Sequence, residues 1–245
     1  MANIAIVSSD IVFNLNAEKL RVILDADGHV CTKIDDIGDL STLGLAAYDC
    51  IIAAYITDTP LIAGQLRALI DNDGIPTMVV MWTTVAANAV GQTLLPTRMN
   101  LCGTFEGAFF FLGAPTGINI TDNAHEITDA FPLGNLQTIT VAENGAGIEF
   151  GQPFIGEDLA LMQAVLDDCV GLVAIEEGTD DLDAPAVPTG ARVVLAPFYV
   201  SDHNFTANCA TLIEDCVTWL LTPPPPPPGG DVLASGLSVG LGLGI

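Results

Sequence analysis

Basic residues are scarce in this chain. Six lysines and arginines stand against 30 aspartates and glutamates, which gives a formal net charge of −24. A surface with that balance repels the phosphate backbone of DNA and RNA, so we expect no nucleic-acid partner. Half of the residues are hydrophobic, which excludes disorder for most of the chain.

Long apolar runs and targeting signals are also missing. No uninterrupted apolar stretch approaches the roughly 18–20 residues that a membrane-spanning helix needs. Met1 leads directly into an apolar segment, without the basic region and the cleavage-site pattern of a signal peptide. We therefore expect a protein that is made in the cytoplasm and has no membrane partner.

The sequence lacks the patterns of metal sites and of disulfide frameworks. Its cysteines and histidines form no C-x-x-C pair and no spacing typical of metal ligands. We expect the cysteines to be small buried side chains, and we expect no metal and no cofactor. A disulfide would require a later, oxidising environment. The cysteines are residues 31, 50, 102, 169, 209 and 216.

What the chain does contain is an alternation of apolar strands and one-sided helices. Residues 191–200 are an apolar run too short for a helix, which is typical of a strand buried on both faces. Thr206 is then predicted to cap a helix with a single apolar stripe. That stripe consists of Cys209, Leu212, Ile213, Cys216, Val217, Trp219 and Leu220.

The same alternation fills the first third of the chain. Strands are predicted at 4–7, 29–34, 48–55 and 75–81, and helices at about 14–26 and 60–73. This order predicts a three-layer α/β domain over residues 1–222, with a mostly parallel, doubly wound sheet. The middle is less regular. A helix is predicted at 86–94, a strand or a packed loop at 107–112, and β-type segments at 136–141 and 148–150. Residues 159–166 and 172–176 are expected to return the chain to the sheet, and 178–190 form an acidic loop.

One stretch resembles a known family. His125-Glu-Ile-Thr-Asp-Ala-Phe-Pro132 resembles the His-Pro-Ile-Thr element of the class I glutamine amidotransferase-like superfamily, particularly its ThuA-like branch. The runs at 171–178 and 191–198 and the closing Trp219-Leu-Leu are similar too. The resemblance spans roughly residues 1–222 in element order and implies a flavodoxin-like, glutamine amidotransferase-like sheet. Glu126 stands where the family usually has proline.

The nucleophile of that superfamily has no counterpart in this sequence. The relatives carry a reactive cysteine on a tight Gly-x-Cys-x-Gly turn after a central strand. The matching stretch, Met81-Trp-Thr-Thr-Val-Ala-Ala, has neither cysteine nor glycine. Thr83 and Thr84 have no recognisable base beside them, and Cys102 is expected to be buried. We therefore predict no catalytic residue and a protein that is not an enzyme.

Four residues remain as candidates for a binding site. Asp202 and His203 follow the last strand, on the side where α/β sheets place their ligands. Trp82 follows the strand at 75–81 in the same way. His125 could serve as a base or a ligand, but a turn fixed by hydrogen bonding is the preferred interpretation. Neighbouring acidic pairs lack the alternating pattern of a calcium loop.

The end of the chain has an unusual composition. Six prolines, 223–228, predict a stiff polyproline II rod of about 19 Å, and Gly229-Gly230 completes a linker over 223–230. Residues 231–245 are called the arm below, and over 237–245 aliphatic residues alternate with serine or glycine. This pattern predicts a strand that docks on an exposed sheet edge of a neighbour, with a disordered tail as the alternative. The aliphatic positions are Leu237, Val239, Leu241, Leu243 and Ile245.

Together these features predict a non-catalytic structural component of a large assembly. A capsid-decorating, neck or tail component of a bacteriophage virion is our leading hypothesis, with neighbouring protein subunits as partners in a homo-oligomer or a multi-protein complex. The protein would then reside in an extracellular virion. One alternative is a ThuA-like enzyme or carbohydrate-binding module acting around Ser8, Tyr55, Trp82 and His203. A secreted surface-layer component is another.

Overall fold

The fold is given by a computed structural model. The residues that it describes are 1–8, 15–35, 38–54, 56, 59–80, 95–103, 105–111, 117–137, 145–150, 155–162, 170–196 and 206–223. None of the helices within these ranges is long and apolar enough to cross a membrane.

The architecture rests on one large sheet with helices on both faces. The strands are β1 (Asn3–Val7), β2 (Val30–Ile34), β3 (Cys50–Ala54), β4 (Thr77–Val80), β5 (Phe105–Phe111), β6 (Gly117–Ile120), β7 (Gly134–Gln137), β8 (Gly145–Phe150), β9 (Glu157–Met162), β10 (Val170–Ile175) and β11 (Val193–Ala196). The helices are α1 (Leu15–Ala26), α2 (Pro60–Asp71), α3 (Leu95–Arg98) and α4 (Ala207–Leu221). Nine strands join in the order β2-β1-β3-β4-β11-β10-β9-β6-β7, and β5 pairs with β8 in a separate small sheet.

The first half of the large sheet is parallel. Strand β1 pairs in parallel with β2 and β3, and β3 with β4. The last strand, β11, inserts in parallel beside β4. All five strands therefore end on the same side, which we call the carboxyl end of the sheet; the opposite side is the amino end.

The second half of the sheet is antiparallel. Strand β10 runs against β11 and β9, and β6 runs against β9 and β7. The predicted α/β class is confirmed, and the sheet extends beyond the parallel strands that the sequence indicated most clearly. The segment at 107–112, which we predicted as a strand or a packed loop, belongs to β5.

Two apolar layers cover the parallel strands. Ile4 and Ile6 of β1 face a layer that includes α1 and α4, while Ala5 and Val7 face the layer of α2. Alternate residues of a strand point to opposite faces, so a strand between two helix layers needs apolar residues at every position. This explains why β1, β3, β4 and β11 read as continuous apolar runs, and it confirms the predicted three layers.

Helix α4 forms as its sequence predicted. The Thr206 hydroxyl oxygen accepts a hydrogen bond from the Cys209 N–H at 3.2 Å, which caps the first turn. Each residue of the predicted apolar stripe is buried, from Cys209 to Leu220. The helix ends at Leu221, just before Thr222 and the prolines of the linker. The short helix α3 was not predicted, and the helix predicted at 86–94 lies outside the described residues.

Candidate functional site

The parallel strands define where a ligand site of this fold would lie. Strand β1 has β2 on one side and β3 on the other, so the chain changes direction between β1 and β3. Open α/β sheets bind ligands at such a switch point, beyond the carboxyl ends of the strands. Ser8 lies there, buried directly after β1, and its N–H donates to the Ile34 carbonyl at 2.9 Å.

Most of the site residues predicted from the sequence follow strands that end at this carboxyl end. Strand β3 ends one residue before Tyr55, and β4 ends two residues before Trp82. Asp202 and His203 belong to the connection between β11 and α4. All four residues lie outside the described part of the chain, as do Thr83 and Thr84. Chain connectivity therefore directs these candidates to one end of the sheet.

His125 lies at the opposite end. It follows β6, which runs antiparallel to β9 and so ends on the amino side of the sheet. Its ring stands 5.2 Å from the Trp219 ring, measured between centroids, beside the last turn of α4. The structure does not bring His125 together with the strand ends that precede Trp82 and His203.

The contacts of His125 are those of a turn residue. Its Nδ1 accepts a hydrogen bond from the Ile127 N–H at 3.1 Å, and its carbonyl accepts from the Thr128 N–H at 2.9 Å. Thr128 and Ile127 are fully buried. The His-Glu-Ile-Thr element thus forms a local turn that packs on Trp219, which is the arrangement that the turn interpretation requires.

A buried arginine that was not predicted from the sequence holds the amino end together. Arg192 is 4% exposed and precedes β11. Its Nε and Nη2 donate to the Glu176 carboxylate at 2.8 and 3.2 Å, and its Nη1 donates to the carbonyls of Trp219 at 2.8 Å and Thr222 at 2.7 Å. The guanidinium carbon lies 4.5 Å from the centroid of the Trp219 ring. Arg192 therefore ties β10, β11 and the end of α4 to one point.

A second arginine fixes the acidic loop at 178–190. Arg67 of α2 donates to the Asp71 carboxylate at 2.8 Å and to the Met99 carbonyl at 2.7 Å, and it lies 3.2 Å from Asp181. The Asp181 side chain is 2% exposed, and its other oxygen accepts from the Val187 N–H at 2.8 Å. One of the six basic residues thus fixes a loop that its composition alone marks as solvated.

The amino end also contains a cleft of about 660 Å³ beside the root of the linker. Its walls combine polar side chains such as Tyr48, Asp49 and Glu177 with Arg192 and Pro223. Pro223 is the first residue of the proline run, so the proline run begins on the side opposite to the predicted ligand site.

No cysteine in the described ranges has the environment of a nucleophile. Cys50, Cys102, Cys209 and Cys216 are buried free thiols and Cys31 is half-buried. Burial raises the pKa of the Cys102 thiol to about 12, and burial raises the pKa of Cys31 and Cys50 to about 12 as well. Cys102 is buried, so this prediction is confirmed. A protonated thiol attacks poorly, so these thiols are inert as nucleophiles.

Two carboxyl groups have unusual proton affinities. Burial raises the pKa of Asp158 on β9 to about 6. Burial, followed by the nearby carboxylates of Asp129, Glu214 and Asp27, raises the pKa of Asp215 on α4 to about 6. One oxygen of each has no hydrogen-bond partner among the described residues. Within those residues, no group of three or more histidine, cysteine or acidic side chains could hold a metal ion.

Comparison with solved structures identifies the fold class of this protein. The sequence matches no protein-family model and no curated protein. The structure of PurLQS from Thermotoga maritima aligns with a TM-score of 0.51 at 11% identity, covering 90% of this chain and 100% of that chain. A chain described as part of a putative GMP synthase from Thermoplasma acidophilum aligns with a TM-score of 0.47 at 12% identity, covering 89% and 96% of the two chains. The first alignment confirms the glutamine amidotransferase-like fold.

This finding corrects one prediction. We expected a protein that is not an enzyme, and that expectation is wrong because the matching fold is that of amidotransferase enzyme subunits. The expectation rested on the missing cysteine after β4. A missing residue excludes one nucleophile at one position and does not exclude an enzyme.

Proposed function

We propose that this protein is an assembly component, which joins a large complex such as a bacteriophage virion through its C-terminal arm, residues 231–245. The observation that carries the proposal is the tail itself. Six prolines are followed by two glycines and then by an arm that is aliphatic at alternate positions and has no charge after Asp231. A rigid spacer before a one-sided apolar segment is suited to docking on another surface.

The structure gives the rod a fixed origin. Arg192, itself anchored by Glu176, binds the carbonyl of Thr222, the residue before the first proline. The polyproline II conformation has a rise of about 3.1 Å per residue, so six prolines hold the arm about 19 Å from that point. A spacer with an anchored base positions the arm better than a freely hinged tail would.

The energetics favour many weak attachments over one strong one. Burial of five aliphatic side chains at about 1.5–3 kcal/mol each stabilises docking by roughly 7–15 kcal/mol. Ordering the arm costs about 1–2 kcal/mol per residue, which removes most of that gain. A single arm therefore binds weakly, and an assembly with several copies makes attachment durable.

The experiment introduces charge into the arm. In the source organism, the chain is replaced by the variant with Leu241→Asp and Leu243→Asp, and its copy number in the purified native complex is measured by mass spectrometry. We expect incorporation to be lost while the melting temperature of the free protein is unchanged. Normal incorporation of the variant would refute the proposal.

The second candidate is a ThuA-like enzyme or carbohydrate-binding module. The observation that favours it is the side-by-side ending of β1, β3, β4 and β11 at the carboxyl end, where the predicted candidates follow in the chain. Its test is a calorimetric titration with a panel of monosaccharides and oligosaccharides, together with a hydrolysis assay on the same panel.

The two ends of the sheet supply matched variants for this test. If the candidate is correct, Trp82→Ala and His203→Ala weaken binding, while His125→Ala, at the opposite end, leaves the affinity unchanged. Thr83→Ala combined with Thr84→Ala is expected to leave the activity unchanged, because neither threonine has a recognisable base. Equal effects at the two ends of the sheet, or no response to any sugar, would exclude this candidate.

A further inference from the structure

One face of the domain carries an apolar groove between α1 and α4. The groove has a volume of about 440 Å³ and lies between the middle of α1 and the first turn of α4. Val22 is 53% exposed there. The lining residues are Glu18, Lys19, Val22, Ile23, Thr206, Ala207 and Ala210.

The groove suits a narrow, uncharged, apolar segment. Ala207 and Ala210 are small, so an extended chain can approach the backbone of α4 closely. Glu18 is already paired with Arg21, with 2.6 Å between carboxylate and guanidinium. The arm has matching properties, because its aliphatic residues alternate with glycine at positions 240, 242 and 244 and no charge follows Asp231.

The outermost strands of the sheet suit the arm less well. At β2 the outward-facing Cys31 N–H is bonded to the Asp25 carboxylate at 3.2 Å, which removes a donor that an added strand would need. The same edge carries Lys33, paired with Asp35 at 3.2 Å. Charged residues on an edge strand discourage strand addition. The opposite edge strand, β7, has only four residues.

The groove and the root of the arm lie at opposite ends of α4. The groove includes Ala207, the first residue of α4, whereas the arm starts beyond Thr222. A helix of 15 residues separates them by about 22 Å. The predicted rod of about 19 Å is shorter than this separation, so the rod by itself does not bring the arm to the groove of its own domain.

We propose that the arm of one copy docks in the α1–α4 groove of a second copy, so that copies join head to tail. This inference rests on the proposed assembly function and identifies the surface to which the arm binds. The contact is heterologous, because the two partners use different surfaces, and such contacts build rings or filaments. Both copies are strongly acidic and therefore repel each other, even with the rod between them. Raising the salt concentration toward about 0.15 M is expected to strengthen association because salt screens this repulsion.

The test measures self-association of the full chain by sedimentation velocity over a range of concentrations. Val22→Asp places a charge in the groove and is expected to raise the dissociation constant by at least about tenfold, because the carboxylate must lose its water. Leu61→Asp is the control, since Leu61 of α2 is 54% exposed, as Val22 is at 53%, but lies on the other face of the sheet. We expect this control to associate like the unmodified protein.

A mixing experiment then tests whether the arm of one copy and the groove of another are complementary. The Val22→Asp variant retains its arm, and the variant with Leu241→Asp and Leu243→Asp retains its groove. Each alone is expected to be monomeric, while the mixture forms a pair with one copy of each that grows no further. A mixture that stays monomeric overturns the proposal, and so does an unmodified chain that is monomeric at every concentration.

The outcomes also distinguish this inference from the function on which it rests. If the arm variant loses association and Val22→Asp does not, the groove is the wrong receptor while the assembly function stands. If the arm variant associates like the unmodified chain, the arm is not the docking element and both proposals fail.

Discussion

Arg192 offers the sharpest test of how the domain holds the base of its tail. The perturbation is Arg192→Met, which keeps much of the apolar stem and removes the guanidinium. The change leaves the carbonyls of Trp219 and Thr222 without their donor and removes the cation from the Trp219 ring. The Glu176 side chain is 52% exposed, so water can solvate its carboxylate after the ion pair is lost.

The expected magnitude follows from these contacts. Hydrogen bonds to a charged group contribute about 1.5–3 kcal/mol each, and the two carbonyl bonds account for most of the loss. The cation–π contact adds about 0.5–2 kcal/mol. Because such terms share one side chain and are not additive, we expect the free energy of unfolding to fall by about 3–5 kcal/mol. Glu176→Gln removes only an exposed ion pair and should cost at most about 1 kcal/mol.

The assay is equilibrium unfolding in urea, followed by tryptophan fluorescence. The loss of stability should appear as a lower midpoint with an unchanged slope. A cost below about 1 kcal/mol for Arg192→Met would refute the anchoring role, given that a buried partner is removed. Equal costs for Arg192→Met and Glu176→Gln would show that the ion pair, rather than the carbonyl bonds, carries the energy.

Three further predictions address packing, thiols and pH. A Cβ at Gly190 would lie 2.5 Å from the Asp71 carbonyl oxygen, so Gly190→Ala should lower the melting temperature, whereas Gly64→Ala in the open part of α2 should raise stability by about 0.5–1 kcal/mol. In the native protein at about pH 8, the buried thiols should resist a disulfide reagent. At most Cys169, which lies outside the described residues, should react within minutes. All six cysteines should react in denaturant. Because the pKa of Asp215 is raised, its contribution to stability is present below about pH 4 and is lost as pH rises through about 6. Asp215→Asn should therefore raise the melting temperature at pH 7.5 and leave it unchanged at about pH 4. An equal shift at both pH values would contradict this assignment.

Local patterns predicted the parallel half of the fold well. The apolar stripe of α4 and the cap at Thr206 follow from residue spacing and from side-chain chemistry within four residues, and both are confirmed. The apolar run at 191–200 indicated a strand buried on both faces, and all four residues of β11 are buried. The antiparallel half was harder, because β6 and β9 take their positions from pairing with strands that are distant in the sequence.

The contacts that organise the amino end could not be read from the sequence. Arg192 meets Glu176, 16 positions earlier, and Thr222, 30 positions later. Arg67 of α2 forms an ion pair with Asp181 of the loop at 178–190, which is far away in the sequence. A sequence shows that bases are few, but only tertiary structure shows which of them are buried and paired. The enzyme prediction was wrong for a related reason, since it judged a whole scaffold by one absent residue.

The measurement that tests the central claim most directly compares the full chain with a version that ends at Thr222. The described domain ends with the cap of α4 at that residue, so we expect the shorter chain to unfold cooperatively at nearly the same temperature. Light scattering at increasing concentration should show association of the full chain and only monomers of the shorter one. Association of the chain that ends at Thr222 to the same extent as the full chain would contradict the claim that the arm builds the assembly.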